Sequence, residues 1–145
     1  MARISQWLYE KVARRAKYRC EYCRLPQAAE ALDLTIDHVT PQGEGGATRL
    51  SNLALACPAC NSRKWKFTHW YDPLDQEKKR VVPLFNPRRH RWSAHFDWDP
   101  SDPAMIVGRT ATGRATVELL DMNALRAVAI RRWLTIVQRH PPRES

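Results

Sequence analysis

Cys20-Glu21-Tyr22-Cys23 and Cys57-Pro58-Ala59-Cys60 bracket the run Leu34-Thr35-Ile36-Asp37-His38-Val39-Thr40-Pro41, and Asn61 follows the last cysteine directly. A Cys-x2-Cys turn is short enough to aim two sulfurs at one ion. Two such turns supply four thiolates, the donor set of a tetrahedral zinc site that holds structure without redox change. The two pairs use all four cysteines of the chain. Metal-free buried thiols, a redox pair and an iron cage are the competing readings. Four thiolates leave no open position for water, which argues against a catalytic zinc.

Working outward, helical projection from Ile4 to about Lys17 gathers Ile4, Leu8, Tyr9, Val12, Ala13 and Ala16 on one face. Ser5 is placed to cap its start, while Trp7 and Arg15 break the pattern. Residues 24 to 33 read as loop and Leu34 to Thr40 as a short strand stopped by Pro41. Gln42 to Arg49, with Gly43, Gly45 and Gly46, reads as a mobile loop. Asn52-Leu53-Ala54-Leu55-Ala56 is a second short strand leading into the second cysteine pair. The proline-free stretch from Asn61 to about Trp70 predicts a helix carrying Arg63, Lys64 and Lys66.

Beyond Asp72 the composition shifts to a charged run, Asp75 to Arg80, so a boundary is expected between a core over residues 1–72 and an extension, 73–145, packed on it. Trp92 to Trp98 and Met105 to Thr110 read as strands, with Ala111 to Gly113 as a turn before Arg114 to Leu119. Asn123 is the expected cap of a final helix with a wide apolar face that includes Leu125, Val128, Trp133, Leu134 and Ile136. Such a face is expected to be covered.

Lys plus Arg number 24 against 15 Asp plus Glu, a formal charge of +9 that makes a polyanion the first partner to consider. A hydrophobic fraction of 43% and six tryptophans exclude global disorder. No apolar run approaches the ~20 residues needed to cross a bilayer, and the first residues lack the apolar stretch of a secretory signal. The expectation is a cytoplasmic protein with no membrane partner, monomeric or weakly dimeric.

In order along the chain, Asp37-His38-Val39-Thr40-Pro41, Gly45-Gly46, Asn52-Leu53 and Asn61-Ser62-Arg63-Lys64 resemble the HNH endonuclease family over roughly residues 18 to 66. Pro83 to Arg88, Trp92 with His95-Phe96, and Gly113 to Thr116 resemble, more weakly, the tail of a bacterial HNH subgroup. The resemblance implies an α+β fold. Its core is ββα-metal, two short strands and a helix gripping one divalent cation. Together with the residue patterns, the expected fold is this core stapled by a four-cysteine zinc knuckle and followed by a C-terminal β-hairpin plus helix. The resemblance implies cleavage of DNA to 5′-phosphate and 3′-hydroxyl ends, with RNA left open. Asn61 departs from the family, which often has His at that position.

The residue types suit this chemistry. Phosphodiester hydrolysis needs an activated water and positive charge on the developing oxygens. Asp37 offers a hard anionic oxygen for Mg²⁺ or Mn²⁺, and Asn61 an uncharged one that favours the same hard ions. His38, on the opposite face of the strand from Asp37, is the expected general base. Asn52 is expected to fix the loop and orient His38. Arg63, Lys64 and Lys66, with Arg88 and Arg89 as a second cluster, are the expected phosphate contacts. His90 reads as part of a turn and His95 as a packed side chain. The rival reading is a zinc-ribbon module that binds nucleic acid without cutting it.

Overall fold

The computed structural model describes residues 4–143. They form a mixed α+β fold of short helices and three separate two-stranded antiparallel sheets. The chain divides into two compact units: the described residues up to Thr68 with Asn86–His90, and His69–Phe85 with the described residues from Arg91 onward. Among the described residues no helix is long and apolar enough to cross a membrane.

In the first unit, helix α1 (Gln6–Arg15) begins where the Ser5 hydroxyl accepts a hydrogen bond from the Leu8 amide at 3.1 Å. It ends where Lys17 and Tyr18 take left-handed φ values of 56° and 55°. Val12, Ala13 and Ala16 are buried as the periodicity requires. Arg15 breaks that periodicity for a reason: its guanidinium donates to the carbonyls of Leu50 and Leu53, tying α1 to the second strand.

Strands β1 (Thr35–His38) and β2 (Leu53–Ala56) pair antiparallel, with Asp37 opposite Ala54 and His38 opposite Leu53. All of β2 is buried, which its unbroken small and aliphatic run permits. The loop between the strands is tied down rather than loose. It contains the 3₁₀ turns Gln42–Glu44 and Leu50–Asn52, and Gly46 passes so close to Thr40 that a Cβ would lie 1.8 Å from its carbonyl oxygen. A glycine is needed there for close approach, not for mobility.

Helix α2 (Pro58–Lys64) starts and stops earlier than the sequence suggests. Cys57 is its N-cap and Pro58 its first residue, and the chain leaves the helix at Trp65, where φ is 46°. Lys66 therefore lies beyond the helix.

In the second unit β3 (His69–Tyr71) pairs with β4 (Val81–Pro83). The short helix α3 (Trp92–His95) precedes the hairpin of β5 (Phe96–Asp99) and β6 (Asp102–Gly108), so the strand expected over Trp92 to Trp98 is half helix. The turn expected at Ala111 to Gly113 is the first turn of helix α4 (Ala111–Leu119), capped by the Thr110 hydroxyl accepting from the Gly113 amide. The last helix, α5 (Leu125–Ile136), is preceded by Ala124 at the N-cap. Asn123, expected in that role, instead exchanges two hydrogen bonds with the Ile106 backbone, both at 2.8 Å. The broad apolar face of α5 is only partly covered. Ala127, Val128 and Leu134 are buried, while Leu125, Trp133 and Ile136 are exposed. Arg131 takes the inner position and donates to the carbonyls of Ala104 and Met122.

Candidate functional site

The four cysteine sulfurs lie within 4.8 Å of one another, and all four side chains are buried. Cys20 Sγ accepts from the Cys23 amide and Cys57 Sγ from the Cys60 amide, both at 3.4 Å, so each knuckle is a turn closed on its own first sulfur. The knuckles belong to one structure because Glu21 pairs with Leu55 through both main chain and carboxylate, each at 2.8 Å. Cys23 Sγ and Cys57 Sγ stand 3.7 Å apart. Four sulfurs about 2.3 Å from a tetrahedral zinc are separated by ~3.8 Å, so cage size and donor chemistry both fit zinc. Burial pushes the Cys20 thiol well up, and hydrogen bonding to its three neighbours pushes Cys60 up, whereas the same network holds Cys57 down. A divalent cation held by the four sulfurs would make thiolates favourable in this dry pocket.

Alternation along β1 turns Asp37 inward and leaves His38 half-exposed. Asp37 is 3% exposed. Its Oδ2 accepts from the Tyr22 hydroxyl at 2.6 Å and lies 3.2 Å from Lys64 Nζ. Lys64 also donates to the Val39 carbonyl at 3.1 Å and is itself 1% exposed. Burial first, then the Asp37 charge, push the Tyr22 hydroxyl well above its usual range, which keeps it a donor. Lys64 is thus no surface phosphate contact, contrary to expectation. α2 carries it inward onto β1, where an uncompensated carboxylate would be costly.

His38 Nε2 lies 2.9 Å from Thr48 Oγ1, and the Gln42 side-chain amide donates to the same oxygen. The Asn52 amide spans the loop: Oδ1 accepts from the Thr40 amide, and Nδ2 donates to the carbonyls of Thr40 and Ala47, all within 3.0 Å. Its main-chain carbonyl accepts from Val39. Asn61 is half-exposed in the middle of α2, one turn before Lys64.

Residues 20–67 match the family model of the HNH endonuclease. This segment is an HNH domain. Comparison with curated proteins and with solved structures gave no match. Within the HNH domain the knuckles, both strands and α2 follow one another as the family fold requires, and the four-cysteine cage is that of the zinc-bearing type. The domain suggests a nuclease-type function.

Of the expected phosphate contacts, Arg63, Lys66 and Arg89 are exposed. Arg88 is not available. It pairs with Glu21, and both side chains are largely covered. Sequence reading missed Tyr22, Thr48 and the inward role of Lys64. None carries a local signal, since Tyr22 sits inside a knuckle, Thr48 in a glycine loop and Lys64 in a basic run.

Proposed function

We propose that the chain is a cytoplasmic, metal-dependent endonuclease that hydrolyses DNA phosphodiester bonds, with His38 as general base. The reading is carried by one observation: within an HNH domain, His38 is half-exposed and, among the described residues, held by one ring nitrogen only. With Nε2 donating to Thr48, Nδ1 keeps its lone pair for the proton of an attacking water. Asn52 keeps the loop bearing Thr48 closed on β1, so it positions His38 without touching substrate.

Asp37 and Asn61 are the residues that would hold Mg²⁺ or Mn²⁺, since both offer hard oxygens. When bound, such a cation supplies positive charge to the phosphate oxygens. Lys64 has to share or yield its place on Asp37 for this to happen. Arg63, Lys66 and Arg89 are the remaining contacts for phosphates flanking the cut. The region over residues 1–72 is the catalytic core in this reading and 73–145 its extension.

The test is nicking of supercoiled plasmid by zinc-loaded protein with Mg²⁺ or Mn²⁺. Cleavage by the wild type and its absence in His38→Ala are expected. A second reading, a zinc-ribbon module that binds without cutting, is favoured by the closed Asp37–Lys64 pair. An intact plasmid across both metals, with binding retained, would establish it.

A further inference from the structure

We propose that Trp65 is a base-stacking platform at the rim of the HNH site. An unpaired base of single-stranded or locally opened nucleic acid lies on its indole, while Lys66 and Arg63 meet the adjacent phosphates. This rests on the nucleic-acid reading above and adds the contact that reading lacks.

The backbone is the first observation. Trp65 has φ 46° and ψ −119°, and the Phe67 amide donates to the Lys64 carbonyl at 2.9 Å. These are the features of a type II′ turn with Trp65 at its first central position, which glycine takes because a Cβ is strained there. Stability alone would place a glycine at this turn.

The strain is not repaid by burial, since the side chain is 64% exposed. The indole is propped instead of packed. The Phe67 ring meets it edge-on at 5.9 Å, and Lys66 Nζ lies 4.4 Å from its centre. Lys66 Nζ sits over one face of this exposed indole, and an exposed ring with its own cation is the pairing that binds single strands: any base stacks on a ring face, and the charge follows the backbone. Departures from local rules without a packing gain concentrate at functional sites.

Position is the third observation. Trp65 follows Lys64, whose ammonium is fixed to Asp37 and the Val39 carbonyl, and Asn61 lies one turn earlier in α2. The anchored lysine ties the turn to β1 through Asp37 and the Val39 carbonyl. Exposure alone would not single this residue out. Trp7 is 65% exposed with Lys11 at 5.4 Å from its ring, but it sits in a regular helix that requires no strain. Bases within an intact duplex stack on one another, so the ligand class is single-stranded, gapped or opened nucleic acid rather than closed duplex.

The test uses the full zinc-loaded chain without added Mg²⁺ or Mn²⁺. Binding is measured by anisotropy to a thymidine oligonucleotide and to an abasic oligonucleotide of equal length and charge. The wild type is expected to prefer the base-bearing strand. Trp65→Gly should weaken that binding about tenfold, leave abasic binding nearly unchanged, and melt no lower than wild type because the turn is relaxed. Trp65→Phe should keep most of the preference. Equal affinity for the two strands, an unchanged Trp65→Gly, or a Trp65→Gly protein that melts well below wild type would each overturn the stacking role. Those results leave plasmid nicking as the separate test of the nuclease reading. Wild-type protein that binds neither strand at low salt would overturn the stacking role and leave the nuclease reading to the plasmid assay.

Discussion

Asp37 and Lys64 stand 27 positions apart in the chain, and the fold makes them one buried ion pair. Removing one partner leaves the other as an uncompensated buried charge. Lys64→Met is therefore expected to destabilise the protein by about 3–5 kcal/mol, and Asp37→Asn comparably, read from urea unfolding. The double variant should recover part of the loss, which a role in catalysis alone would not require. His38 is different. It is half-exposed and holds no buried charge, so His38→Ala should change stability by under ~1 kcal/mol while abolishing cleavage. Thr48→Val should lower turnover about tenfold or more without removing it, since it frees the ring rather than deleting it. Asp37 and His38 were legible as a pair of chemical types with opposite facing. That Lys64 and Tyr22 already occupy Asp37 was not, because a residue's partner across α2 leaves no local trace.

Helix α4 shows the same limit at the scale of an element. Thr112, Thr116 and Val117 are β-branched and Gly113 marks a turn, so local preference speaks against a helix. The helix forms because tertiary contacts outweigh that preference. Gly113 lies so close to α3 that a Cβ would come within 2.0 Å of the His95 carbonyl oxygen, and the Thr116 hydroxyl accepts from the Phe85 amide. Gly113→Ala should cost about 3 kcal/mol by overpacking, and Thr110→Ala about 1 kcal/mol through the lost cap, both measured by thermal melting. Arg114, on the same helix, grips Asp72 with two hydrogen bonds at 3.0 and 2.8 Å, and these hold the Asp72 carboxyl below its usual range. A carboxyl with a depressed folded-state pKa contributes stability above its unfolded value of about 3.9. That contribution is lost as pH falls through the lower folded value. Arg114→Gln should accordingly flatten the acid limb of the stability profile and have less effect below it. Helix α1 was readable in advance because its cap and apolar period agree with its packing; α5 was readable as a helix, but its cap and its buried face differ from what its apolar period predicts. α2 was placed but displaced, because the turn at Trp65 ends it against local expectation.

At the scale of the molecule, the four-cysteine cage is expected to decide whether the HNH domain folds. Cys20→Ser, or stripping with a strong chelator, is expected to unfold it, seen as lost helical ellipticity and new protease cuts within residues 20–67. Structural zinc contributes folding free energy directly, and thiolates give it up to protons as pH falls. A stable, active Cys20→Ser protein would mean that the cage is dispensable. The formal charge of +9 predicts binding that weakens steeply with salt. Neutralising Arg63, Lys66 and Arg89 together should flatten that slope, whereas Arg88→Ala should act through stability because its charge is spent on Glu21. By itself the sequence determined the four-cysteine cage and the two strands, and it supplied the expectation of an acid–imidazole pair and an anionic partner. These depend on spacing, period and composition, which are properties of short stretches and sums. Only the tertiary structure decided which lysine and arginines face inward, what occupies Asp37, and that one tryptophan stands exposed on a strained turn. Burial and pairing are set by residues far apart in the chain, and no local pattern encodes them.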